Sequence, residues 1–251
     1  MVMVLLTALG VGGASIIGAL LGFAFKNTSH KFSDIVLSFA AGIMLCASIL
    51  GLILPSLEYG GKWGILITIA GIFCGAVCIN LIDKLVPHLH KLTGAELEKH
   101  PEKTESLNKV LLFVIAIAIH NFPEGIAAGV GFGTENVTDA LMIAGGIALQ
   151  NIPEGMVIIA PMLASGMSHK RTFIIALIAG FVEIIGTLIG YFAVSISTLV
   201  LPFVLAFAGG TMLYVIGDEM IPETHAHGNE SGATYALLVG FTIMLVIDFL
   251  L

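Results

Sequence analysis

The chain predicts an all-α membrane protein of eight transmembrane helices with kinked central helices, and three observations carry that prediction. Its mean hydropathy is +1.05. Hydrophobic residues make up 57% of it and charged residues only 11%, the composition of a polytopic helical protein rather than a water-soluble domain. Apolar runs recur from end to end, and two central ones are each interrupted by the same kind of polar hexapeptide. Ten Lys and Arg in 251 residues leave no basic face for a nucleic acid.

The runs cover residues 2–25, 34–57, 62–84, 109–132, 139–164, 171–195, 200–221 and 233–251, each near the ~20 residues that span a bilayer as a helix. Together they predict a single polytopic domain over residues 1–251. The first lacks a basic leader and exceeds the apolar core of a signal peptide, so it reads as a retained helix. It carries Gly10, Ala14, Gly18 and Gly22 at i+4 spacing, a stripe that lets another backbone come close. The second contains Met44. In the third, Cys74 and Cys78 are spaced like a thiolate pair, although small apolar fillers is the plainer reading. The polar connection Leu85–Asn108 holds His88, His90 and His100 among lysines, which predicts a mobile cytoplasmic loop. The seventh run closes on Asp218 and Glu219, followed by His225 and His227. An acidic, histidine-bearing segment there can catch cations, with the two imidazoles sharing an ion if the segment is extended.

Positive charge fixes the orientation. Lys26, Lys31, Lys84, Lys91, Lys99, Lys103, Lys109, Lys170 and Arg171 fall on odd-numbered connections, and only Lys62 falls on an even one. Nine against one places the odd connections in the cytoplasm and both termini outside.

The chemistry sits in the fourth and fifth runs. The fourth holds His120-Asn121-Phe122-Pro123-Glu124-Gly125 and the fifth Gln150-Asn151-Ile152-Pro153-Glu154-Gly155. An ionisable side chain at that depth costs roughly 2.5–3.5 kcal/mol on insertion scales, so two matching sets on consecutive helices imply a site. On a helix, residues i, i+3 and i+4 share a face, which groups His120 and Asn121 with Glu124, and Gln150 and Asn151 with Glu154. Pro123 and Pro153 cannot donate to the carbonyls of Ile119 and Leu149. Each helix should therefore bend and leave an acceptor, with Gly125 and Gly155 loosening the next turn. Glu183, in the sixth run between Gly180 and Gly186, adds a third carboxylate. One imidazole with carboxylates and amide oxygens suits Zn, Fe(II), Mn, Co or Cd. It suits neither a closed structural zinc site nor a calcium cage. Three acids together at low dielectric cannot all stay charged without a cation, so metal binding should release protons.

The paired HNFPEG and QNIPEG segments resemble the signature of the ZIP (Zrt-, Irt-like) metal transporters, most closely their short prokaryotic branch. The resemblance implies a ZIP-like bundle, an inner-membrane location, a homodimer, and inward transport of a divalent metal by an elevator-like movement. No prosthetic group is implied, only the transported ion. It implies His120, Glu124, Gln150 and Glu154 as ligands of one metal. Asn121, Asn151 and Glu183 would hold a second, with Glu124 and Glu154 bridging. Met44 matches a position that adds a thioether. Some relatives have an acid where Asn151 stands, so the second metal should bind more weakly here; others have a histidine where Gln150 stands, so the first site is less imidazole-rich.

Two other readings compete with a transporter: an intramembrane metalloenzyme and a non-transporting metal sensor. The first would show H-E-x-x-H or repeated E-x-x-H pairs, and neither occurs. The second needs an output domain, for which the longest connection is too short.

Overall fold

The computed structural model describes residues 1–25, 29–85, 121–133, 137–164, 166–196 and 198–250. Among these, seven helices are long and apolar enough to cross a bilayer, and no strand occurs among the described residues. In chain order the helices are α1 (Val2–Ala24), α2 (His30–Tyr59), α3 (Gly64–Leu85), α4 (121–130), α5 (Val137–Ala164), α6 (His169–Ile196), α7 (Leu201–Thr224) and α8 (Glu230–Leu250). Only the second half of the expected fourth span, now α4, is described. Residues 109–120, with His120, lie outside the described residues, and so do His88, His90 and His100.

Two helices run longer than the hydropathy pattern predicts, and for one reason. α2 starts at His30 because the Ser29 hydroxyl accepts the Phe32 N–H at 3.3 Å, an ordinary N-cap. It then continues past Pro55 by widening to a π-helical stretch over Ala47–Ile53. α7 repeats the device, with a π-helical stretch over Ile216–Met220 just ahead of Pro222. A proline has no N–H for the i−4 carbonyl, and a local change of register absorbs the mismatch without ending the helix.

Packing separates central from peripheral helices. In α2 and α7, 61% of the most apolar stretch is buried, against 22% in α3 and α8, so the outer pair faces mostly lipid. α1 lies against α5 and α6, α2 against α8 and α5, and α3 against α7. Cys74 is exposed on α3, Cys78 half-buried and Cys46 buried, all as free thiols.

Ser56 ties three of these helices together. Its hydroxyl is fully buried and lies 2.6 Å from the Pro202 carbonyl and 2.7 Å from the Thr68 hydroxyl. With one proton to give, Ser56 donates to Pro202 and accepts from Thr68, joining α2, α7 and α3. Replacing Ser56 with alanine should lower stability in detergent by about 0.6–1.7 kcal/mol, the span measured for polar contacts between membrane helices. The check is a thermal unfolding midpoint below that of wild type.

Candidate metal centre

Three helices meet at the level of the two hexapeptides. α4 supplies Asn121 and Glu124, α5 supplies Gln150, Asn151 and Glu154, and α6 supplies Glu183. Glu124, Gln150, Asn151 and Glu183 are each at most 1% exposed, deep inside a membrane-spanning bundle. Pro153 lies inside α5, and the helix bonds around Ile158 are long: its N–H donates to the Glu154 carbonyl at 3.3 Å and its carbonyl accepts from Met162 at 3.4 Å.

The glycines of the motif do more than loosen a turn. A Cβ on Gly125 would lie 2.3 Å from the Glu183 carbonyl oxygen, and one on Gly155 would lie 2.4 Å from the Ser15 carbonyl oxygen. Both distances are below any real contact, so these two positions are where α4 closes on α6 and α5 closes on α1.

The hydrogen bonds fall into two sets. In one, the Gln150 amide donates to Glu124 Oε1 at 2.9 Å. In the other, Glu183 accepts from three side chains: Ser15 to Oε1 at 2.7 Å, Asn121 to Oε1, and Asn151 to Oε2 at 2.8 Å. A carboxylate only accepts, so each amide must turn its NH2 toward the acid and its carbonyl oxygen elsewhere. Gln150 Oε1 and Asn151 Oδ1, together with Glu154 Oε1, are buried and have no hydrogen-bond partner among the described residues. Buried acceptors without donors are costly, and a cation satisfies oxygens of this kind where no N–H or O–H reaches them.

Among the described residues, no three His, Cys, Asp or Glu side chains form a metal-holding group on their own. A centre here draws on amides as well as acids. Met44 is 1% exposed and shares a buried cluster with Ala127, Ala128 and Ile147, on the turns next to Glu124 and Gln150.

The structure separates the other candidates from this level. Asp218 and Glu219 lie on the π-helical stretch of α7. Residues 225–227 form turns rather than an extended segment, so the premise that His225 and His227 share one ion does not hold here. His225 Nδ1 lies 2.8 Å from the Ile221 carbonyl and its Nε2 3.1 Å from the Thr234 hydroxyl. His227 Nδ1 lies 3.0 Å from Asp34 Oδ1, and its ring stacks on His30 with centroids 4.8 Å apart. Asp34 and Ser15 escaped the sequence reading. Asp34 was taken for a span boundary, and a lone serine in an apolar run carries no charge to mark it.

Membrane helices that bring buried amide and carboxylate oxygens to one level form a candidate intramembrane cation centre. The comparisons give that class a family. The profile of the ZIP zinc transporter family matches residues 86–248. The chain is 39% identical to the zinc transporter GufA of Myxococcus xanthus, over 97% of each chain. It is 35% identical to the zinc transporter ZIPB of Bordetella bronchiseptica, over 94% of this chain and 77% of that one. It is also 36% identical to the zinc transporter ZupT of Chlorobaculum parvum, over 94% and 92%. The chain belongs to the ZIP zinc transporter family. It is a multi-pass membrane protein of the transporter class, not an enzyme.

Proposed function

We propose that this protein carries divalent transition-metal ions inward across the plasma (inner) membrane, zinc foremost, with Fe(II), Mn, Co and Cd as competitors. The observation that carries the reading is the set of buried oxygens without donors, Gln150 Oε1, Asn151 Oδ1 and Glu154 Oε1. His120, Glu124, Gln150 and Glu154 bind one ion in this reading. Asn121, Asn151 and Glu183 bind a second, with Glu124 and Glu154 shared and Met44 offering a thioether. The two hydrogen-bonded sets support that division, since Gln150 pairs with Glu124 while both asparagines pair with Glu183. Asp218, Glu219, His225 and His227 line a cytoplasmic exit, with His225 and His227 acting separately. Both termini lie outside, and two copies pair as a homodimer. The ion is carried by an elevator-like movement of α1, α4, α5 and α6 against α2, α3, α7 and α8.

Amide ligands favour release over activation of water. A neutral oxygen holds a divalent ion less tightly than a carboxylate does, which suits a cargo that must leave. The test is Zn2+ uptake into proteoliposomes in competition with Cd2+, Fe2+ and Mn2+. Saturable uptake is expected, and binding without flux would instead indicate a sensor. Apparent affinity should also fall between about pH 8 and about pH 5.5, because protons and metal compete for the same carboxylates. An affinity constant over that window would remove the linkage.

A further inference from the structure

One polar side chain at the depth of the centre comes from a helix that carries neither hexapeptide. Ser15, on α1, is 5% exposed and donates to Glu183 Oε1 at 2.7 Å. One turn earlier, the Val11 carbonyl accepts from the Asn151 amide at 3.4 Å, a longer and weaker contact. α1 therefore reaches both Glu183 and Asn151, and its backbone is drawn in at Ser15 by the absence of a side chain on Gly155. The Gln150 amide instead donates to Glu124 on α4.

This asymmetry has a chemical consequence. The set around Glu183 holds one carboxylate of its own and two neutral amides, so its hold on a cation depends on how that carboxylate is turned. Oε1 receives Ser15 and Asn121 and Oε2 receives Asn151, from three helices. Ser15 gives its one proton to Glu183, so it acts on the ion by orienting the acid. Groups that hydrogen-bond to a metal-ligating carboxylate typically shift metal affinity by about 10–100-fold when removed.

We propose that Ser15 is a positioning residue for a second metal ion, fixing Glu183 from α1 and leaving the first ion's ligands untouched. The proposal rests on the metal-carrying reading above. Calorimetric titration of the purified full-length protein with Zn2+ should show two binding steps. Ser15→Ala should weaken the second step about tenfold or more and leave the first within about twofold. Ser15→Ala and Glu183→Gln should also be non-additive on the second step, because one acts through the other.

Equal weakening of both steps, or an additive pair, would overturn the role of Ser15. A single step in wild type overturns it too, while the metal-carrying reading stands. No Zn2+ binding by wild type overturns that reading as well. If the alanine variant does not fold, Ser15→Cys takes its place: it is close in size, is a weak donor, and should lose affinity at the second step only.

Discussion

Glu154→Ala is expected to lower metal uptake at least about a hundredfold while the protein folds and unfolds as wild type does. The separation comes from how Glu154 is held. Its Oε1 is buried without a donor among the described residues, and Glu154 takes part in none of the hydrogen bonds that join α4, α5 and α6 at this level. In the proposed reading, removing it takes away a metal ligand, and no helix-to-helix bond among the described residues. It also removes an ionisable group from the membrane interior, which favours the fold, so the unfolding midpoint should hold or rise. Glu183→Ala contrasts with this. That change strands the donors of Ser15, Asn121 and Asn151, and each stranded buried donor costs about 1–3 kcal/mol. It should lose uptake and stability together. Uptake in proteoliposomes alongside thermal unfolding in the same detergent distinguishes the two. An unaltered uptake rate for Glu154→Ala would remove the ligand role from the second hexapeptide.

Much of this centre was legible in the sequence, because charge is so expensive at membrane depth that an acid in the middle of an apolar run stands out, whereas Asp34, at the edge of one, does not. Glu124, Glu154 and Glu183 were visible for that reason, and the repeated spacing grouped the amides with them. What escaped notice was uncharged or depended on rotation about a helix axis. Ser15 resembles any small residue in an apolar run until Glu183 is seen beside it. The π-helical stretch before Pro222 extends α7 to Thr224, beyond the expected end at residue 221. The two imidazoles after α7 were expected to act as a pair, yet a turn gives His227 to Asp34 and His225 to Thr234. Backbone geometry made that choice, and composition carries no trace of it.

Rotation also decides the last prediction. The glycines and alanine at i+4 spacing in α1 suggest one packing stripe, but each step of four residues turns roughly 40° beyond a full circle. From Gly22 back to Gly10 the drift sums to roughly 120°, enough to leave the contact face. The structure shows this. A Cβ on Gly18 would lie 2.2 Å from the Ile152 carbonyl oxygen and one on Gly22 2.5 Å from that of Met156, whereas nothing lies within 4 Å of one on Gly10. The buried face runs through Val4, Ala8, Val11, Gly12, Ala14, Ser15, Gly18, Ala19 and Gly22, so it keeps Ala14, Gly18 and Gly22 of the stripe and leaves out Gly10. Gly18→Val should therefore push α1 off the bent segment of α5, beside Asn151 and Pro153. Overpacking of this kind costs about 1–3 kcal/mol or more, and here the obstacle is backbone, which cannot rotate away. Separation of α1 from α5 also carries Ser15 away from Glu183, so uptake should fall with stability. Gly10→Val adds the same side chain to the same helix on a face open to lipid, where valine is well tolerated. It should unfold and transport as wild type does. Equal effects of the two valines on the unfolding midpoint would mean that α1 does not dock on α5 through Gly18.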